Sequence, residues 1–146
     1  MTLHALCSVL SYVSFLVACL SGALFLLQER QLKQKQMGVL FHRLPSLGAL
    51  DRINVVALGS GLALLTIGLL FGIWESRRLA GRWWMWDPSE IMTAVLWSSY
   101  LGLWLVRLRA TLRGRKVALL SMLGFTFALF TLLGVSRWLP SWHTAL

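Results

Sequence analysis

Three tryptophans, Trp83, Trp84 and Trp86, fall within four positions, with Arg82 before them and Asp87, Pro88, Ser89 and Glu90 directly after. Flat indoles beside fixed charges suit two jobs. One is the interfacial belt of a membrane protein, where the ring sits at headgroup level and its N–H stays wet. The other is a stacking platform for a large planar amphiphile that bears carboxylates, with arginines to pair the acids. A belt is usually scattered singly over helix ends. Here Trp74, Trp83, Trp84, Trp86, Trp138 and Trp142 gather on one side of the topology derived below, whereas Trp97 and Trp104 lie elsewhere.

If the indoles are a platform, haem is the obvious ligand, with Trp74, Trp83, Trp84 and Trp86 stacking on it and Arg77, Arg78 and Arg82 pairing its propionates. Haem also needs axial donors, and the chain has three histidines. His4 lies at the start of the first apolar run and His143 follows the last one, so an even number of crossings returns both to one membrane face. Bis-histidine ligation there is geometrically allowed. His42 falls on the other side and reads as an interfacial residue. A lone terminal histidine is more often solvated than ligating, and that alternative stays open. Asp87-Pro88-Ser89-Glu90 has a structural role whatever the loop binds: Asp at N-cap, Pro at the first helical position and Glu two residues later suit a helix start, with carboxylates at the positive end of the dipole. No residue stands out as a catalytic acid, base or nucleophile.

These residues must be positioned by membrane helices. The chain has 146 residues, is 58% hydrophobic and 13% charged, and has a mean hydropathy of +0.72. Such a composition belongs to a membrane protein. Residues 3–27, 55–74, 91–106 and 117–135 contain no Asp, Glu, Lys or Arg. Crossing the hydrocarbon takes about 20 helical residues, and the shortest run gains length if Pro88, Ser89 and Glu90 begin its helix. The first run lacks a basic leader segment and is too long for a secretory apolar core, so it reads as a transmembrane helix. The sequence therefore predicts an all-α polytopic membrane domain over residues 1–146. Its four transmembrane helices are joined by a link at 28–54, a tryptophan loop at 75–90 and a turn at 107–116, and end in a tail at 136–146.

Charge sets the expected orientation. Arg30, Lys33, Lys35, Arg43 and Arg52 face Glu29 and Asp51 in the first link, and residues 107–116 add five cations and no acid. The positive-inside rule makes that side cytoplasmic and puts both termini and the tryptophan loop outside. The net charge of +9 is then topogenic and implies no nucleic-acid partner. In the first link, residues 44–53 carry enough spaced leucines for a short amphipathic piece along the interface. Gly59, Gly61, Gly68, Gly72 and Gly124 permit close backbone approach in lipid. Cys7 and Cys19 both fall in the first helix and suit packing, and with no CxxC or CxxCH anywhere neither a zinc site nor self-attached c-type haem is indicated.

Several stretches in register, LLQERQLK at 26–33, LFHRLPSL at 40–47, LDRIN at 50–54, LLTIGLLFG at 64–72 and GRWWMWDPSE at 81–90, followed by RGRK and LLGFTFALFTLLGV, resemble the tryptophan-rich (WWD) haem-handling family of cytochrome c biogenesis proteins. The likeness is to the C-terminal half of its CcsA (ResC) branch. It implies a haem b carrier in a bacterial cytoplasmic or thylakoid-type membrane, part of a holocytochrome c synthetase system. With a ResB-type partner such a carrier moves haem outward and presents its vinyl groups to the CxxCH thiols of apocytochrome c. His4 and His143 match the family's two external haem ligands, and Trp83, Trp84, Trp86 and Asp87 match its WWD segment. Leu105, two residues before Arg107, stands where the branch carries a transmembrane histidine, and helices preceding the external histidine would come from another chain. Two further readings remain: a bis-histidine cytochrome b that keeps its haem, and a structural subunit that keeps only the fold.

Overall fold

The computed structural model describes residues 2–35, 43–81, 83, 88–109 and 114–138. They form four helices: α1 (Thr2–Lys33), α2 (Leu47–Ala80), α3 (Pro88–Leu108) and α4 (Arg115–Trp138). All four contain spans long and apolar enough to cross a membrane.

The helix ends follow local chemistry. Beyond Leu27 the polar residues Gln28 to Lys33 are good helix formers and continue α1, helped by a Glu29–Lys33 ion pair at 2.9 Å one turn apart. Lys35 then turns into the left-handed region at φ 53°. α2 starts earlier than the apolar run, because the Ser46 hydroxyl accepts the Ala49 N–H at 3.2 Å and caps it. The leucines from Leu47 onward are thus the first turns of α2, not a separate interfacial piece. α2 ends at Gly81, whose φ of 69° only glycine adopts cheaply and whose N–H returns to the Arg77 carbonyl. α3 opens on Pro88, the position at which a missing N–H costs nothing; its expected cap, Asp87, is outside the described residues.

Packing is antiparallel around a closed ring, α1 on α2, α2 on α3, α3 on α4 and α4 on α1, with α1 and α2 sharing the most extensive interface. The pairings fix the register. Phe15 packs on Gly61, Cys7 and Ser8 on Gly68, and His4 on Gly72, while Gly22 meets Ala118 and Trp104 meets Gly59. Phe15, fully buried, stacks on Tyr100 of α3 with centroids 3.7 Å apart. Several interior polar groups are satisfied between helices, where lipid offers no partner. Asn54 Nδ2 donates to the Ala18 carbonyl at 2.7 Å and to Ser121 Oγ at 3.2 Å, and Trp97 Nε1 donates to Thr66 Oγ1 at 2.8 Å. Arg107 pairs with Asp51 across the α2/α3 seam.

This topology gathers the start of α1, the end of α2, the start of α3 and the end of α4 at one end of the bundle. His4, Trp74, Trp83 and the flanks of the tryptophan loop share that end.

Candidate functional site

His4 stands one turn into α1, on the face turned to α2. Its ring fits there because α2 offers no side chain: a Cβ on Gly72 would lie 3.2 Å from both Cε1 and Nδ1 of the imidazole. Nδ1 sits 2.7 Å from the Gly68 carbonyl oxygen. A carbonyl only accepts, so Nδ1 carries the proton. Nε2 makes no hydrogen bond to a described residue. Glu75, in the next turn of α2, interacts electrostatically with His4 and with Arg78.

The indoles lie at the same bundle end. Trp74 and Trp83 are 58% and 60% exposed, which leaves wide apolar faces accessible. Each carries an arginine on one face: the Arg77 guanidinium carbon is 3.8 Å from the Trp83 ring centroid, and that of Arg78 is 5.7 Å from Trp74. Such cation–π contacts hold the rings and the charges together. The sequence suggested arginines beside a bare platform; the structure instead stacks them on it. Ser76, one turn beyond Gly72, has a buried hydroxyl without a hydrogen-bond partner. Most other serines and threonines in these helices bond back to a carbonyl of the preceding turn, as Ser8, Ser98 and Thr126 do.

Of the expected site residues, the structure thus brings His4, Trp74 and Trp83 to one end. Arg82, Trp84, Trp86, Asp87 and His143, and with them His42, lie outside the described residues. The Gly68 carbonyl is invisible in the residue pattern, since a backbone acceptor has no side-chain signature. Position 105, in contrast, is placed clearly: Leu105 is 47% exposed and faces away from the bundle interior, so a side chain there meets lipid or a further helix. Among the described residues no three His, Cys, Asp or Glu side chains gather as a multidentate metal site. An imidazole nitrogen at the same bundle end as exposed indoles and guanidinium groups suits a planar, acid-bearing macrocycle whose metal takes a nitrogen donor. The residues present fit haem.

The fold and this bundle end define a multi-pass, all-helical membrane protein. The profile of the family described as "Cytochrome C assembly protein" matches residues 1–143, and the chain belongs to that family. It is 34% identical over 94 residues to the cytochrome c biogenesis protein CcsA of a Synechocystis species, covering 64% of this chain and 28% of that protein. It is 30% identical over 116 residues to CcsA of Crocosphaera subtropica (80% of this chain, 35% of the relative) and 30% identical over 105 residues to CcsA of the alga Pyropia yezoensis (70% and 33%). The chain therefore spans about a third of the length of the curated relatives it matches. No solved structure matches it.

Proposed function

We propose that this chain holds a b-type haem at the bundle end bearing His4 and the tryptophan loop, and presents it for covalent attachment to apocytochrome c. The observation that carries this reading is His4 itself, an imidazole with one nitrogen committed to a backbone carbonyl and the other left with its lone pair, at the bundle end that also bears exposed indoles. Family membership supports the same role. His4 and His143 would donate to the iron. Trp74, Trp83, Trp84 and Trp86 cover the macrocycle, Arg82 pairs its propionates together with Arg77 and Arg78, and Asp87 holds the start of α3 in place. Bound haem supplies two vinyl groups across which the thiols of a CxxCH motif add. The chain contributes orientation and exclusion of water, and positioning two reactants lowers a barrier without any acid or base from this protein.

The same reading puts the site on the extracytoplasmic face of a bacterial cytoplasmic or thylakoid-type membrane. A ResB-type membrane protein and an apocytochrome c with CxxCH are the partners it calls for. Protein purified from haem-replete membranes should show a low-spin bis-histidine spectrum with at most one haem per chain. Either His4→Ala or His143→Ala should abolish the low-spin signal, and exogenous imidazole should restore it. A low-spin spectrum that persists in the double variant overturns the ligand assignment.

Leu105 on the outer surface of α3 favours a second reading, in which no internal haem site feeds this one and the chain keeps its haem as a cytochrome b. Loss of haem to a CxxCH peptide separates the two.

A further inference from the structure

We propose that Gly68 and Gly72 of α2 are positioning residues that fix both the orientation and the tautomer of His4. The Gly68 carbonyl takes the Nδ1 proton and the bare Cα of Gly72 admits the ring, so that Nε2 is the only nitrogen able to bind iron. The inference rests on the haem assignment above and deepens it.

A free imidazole on the first turn of a helix has two tautomers and several rotamers, and only one combination offers Nε2 to a ligand. Here the choice is made by backbone atoms. Nδ1 lies 2.7 Å from the Gly68 oxygen, a distance typical of a well-formed N–H···O bond. That bond requires the ring to lie flat in the groove over Gly72, where an added Cβ would stand 3.2 Å from Cε1 and from Nδ1. Carbon contacts settle at about 3.5–4.0 Å, so a side chain at 72 crowds the ring against its bond to Gly68, the more so the bulkier it is. A Cβ on Gly68 itself meets only Cys7 and Ser8, at 3.5 Å or more; what matters at 68 is the carbonyl, and at 72 the empty space. Metal-bound histidines commonly have their second nitrogen tied to a carbonyl or carboxylate, which sets the tautomer and raises donor strength. The α1/α2 seam provides that tie from main chain alone, before any ligand arrives.

The test begins with the protein free of haem. In a His42→Gln, His143→Gln background His4 is the single histidine, and its ¹⁵N ring signals in detergent micelles at neutral pH report the protonation of each nitrogen. In the neutral form of the ring, the expected tautomer carries its proton on Nδ1. A neutral ring protonated at Nε2 overturns the proposal, and no substitution in the seam is needed to find out. In otherwise unaltered protein, Gly72→Ala and the bulkier Gly72→Val should then weaken haem binding in that order. Loss of an outer partner costs a metal-binding histidine about tenfold to a hundredfold in affinity, and the low-spin fraction should fall with it. Gly102→Ala, where a Cβ meets nothing within 4 Å, should bind haem as the parent does. If His4→Ala leaves low-spin haem intact, the ligand assignment fails and the seat's role in haem binding fails with it. If His4→Ala abolishes it while Gly72→Val binds haem with parental affinity and spin state, His4 remains a ligand and the seat alone is refuted.

Discussion

Replacing Gly61 by alanine probes the scaffold of the site without touching haem. A Cβ at 61 would lie 2.5 Å from Cε1 and 2.7 Å from Cδ1 of Phe15, about an ångström inside ordinary carbon contact. The ring cannot retreat easily. Phe15 is fully buried and stacked on Tyr100 at 3.7 Å. Overpacking of this kind costs about 1–3 kcal/mol, partly offset by the better helix propensity of alanine, about 0.8–1 kcal/mol in water. Gly102→Ala enjoys the same propensity gain with no clash, so the two variants should differ by about 1–3 kcal/mol, with Gly61→Ala the less stable. Unfolding in mixed micelles with increasing SDS, followed by tryptophan fluorescence and far-UV circular dichroism, gives the comparison. Adding Phe15→Leu should recover part of the loss in the Gly61→Ala background while destabilising the parent, a non-additivity expected only of residues in contact. Equal stability of Gly61→Ala and Gly102→Ala would refute the α1/α2 register. Because His4 and Gly72 are each eleven residues from Phe15 and Gly61 along the same seam, that result would also remove His4 from its seat.

Three further outcomes follow from particular contacts. Asn54→Asp should destabilise more than Asn54→Ala, by about 1 kcal/mol or more in the same SDS titration, because a carboxylate in place of Nδ2 faces the Ala18 carbonyl with no proton to share; the reverse order would mean that the amide is not the donor. Asp51→Asn and Arg107→Leu should each destabilise, and the double variant should cost less than their sum, since removing one partner leaves the other charge uncompensated; strict additivity in the double-mutant cycle would dismiss the pair. A cysteine placed at exposed Leu79, in protein with Cys7 and Cys19 changed to serine, should react with an impermeant maleimide in intact cells, as the positive-inside rule expects for the tryptophan-loop end; labelling only after permeabilisation would reverse the topology.

The helix count was legible because lipid demands long uncharged runs and hydropathy reports them directly. The start of α3 at Pro88 was legible for a local reason, the tolerance of proline at a first helical position. The polar continuation of α1 was legible because Gln28 to Lys33 are helix-forming, whereas the beginning of α2 was not, since Ser46 caps a turn that looks like interfacial sequence. Among the site residues, sequence placed His4 and Trp74 at one membrane face through parity of crossings alone. It gave no partner for either. Glycines at 61, 68 and 72 announce close approach but not which ring each receives, and the Gly68 carbonyl is chemically identical to every other carbonyl until a fold puts an imidazole against it. Trp74 and Arg78 meet across one helical turn, whereas Arg77 on Trp83 depends on the turn at Gly81.

The pairing of Phe15 with Gly61 and of His4 with Gly72 also limits how such a chain can drift. On α2 both positions already hold the smallest residue, so every substitution there is an enlargement and meets a ring at 2.5 or 3.2 Å. On α1 the partners are large, and variation can proceed by trimming them. The seam is therefore open to change from one helix only, and its two rings differ in what trimming would forfeit: a smaller residue at 15 loses packing that a neighbour can refill, whereas a smaller residue at 4 loses a nitrogen that no repacking replaces.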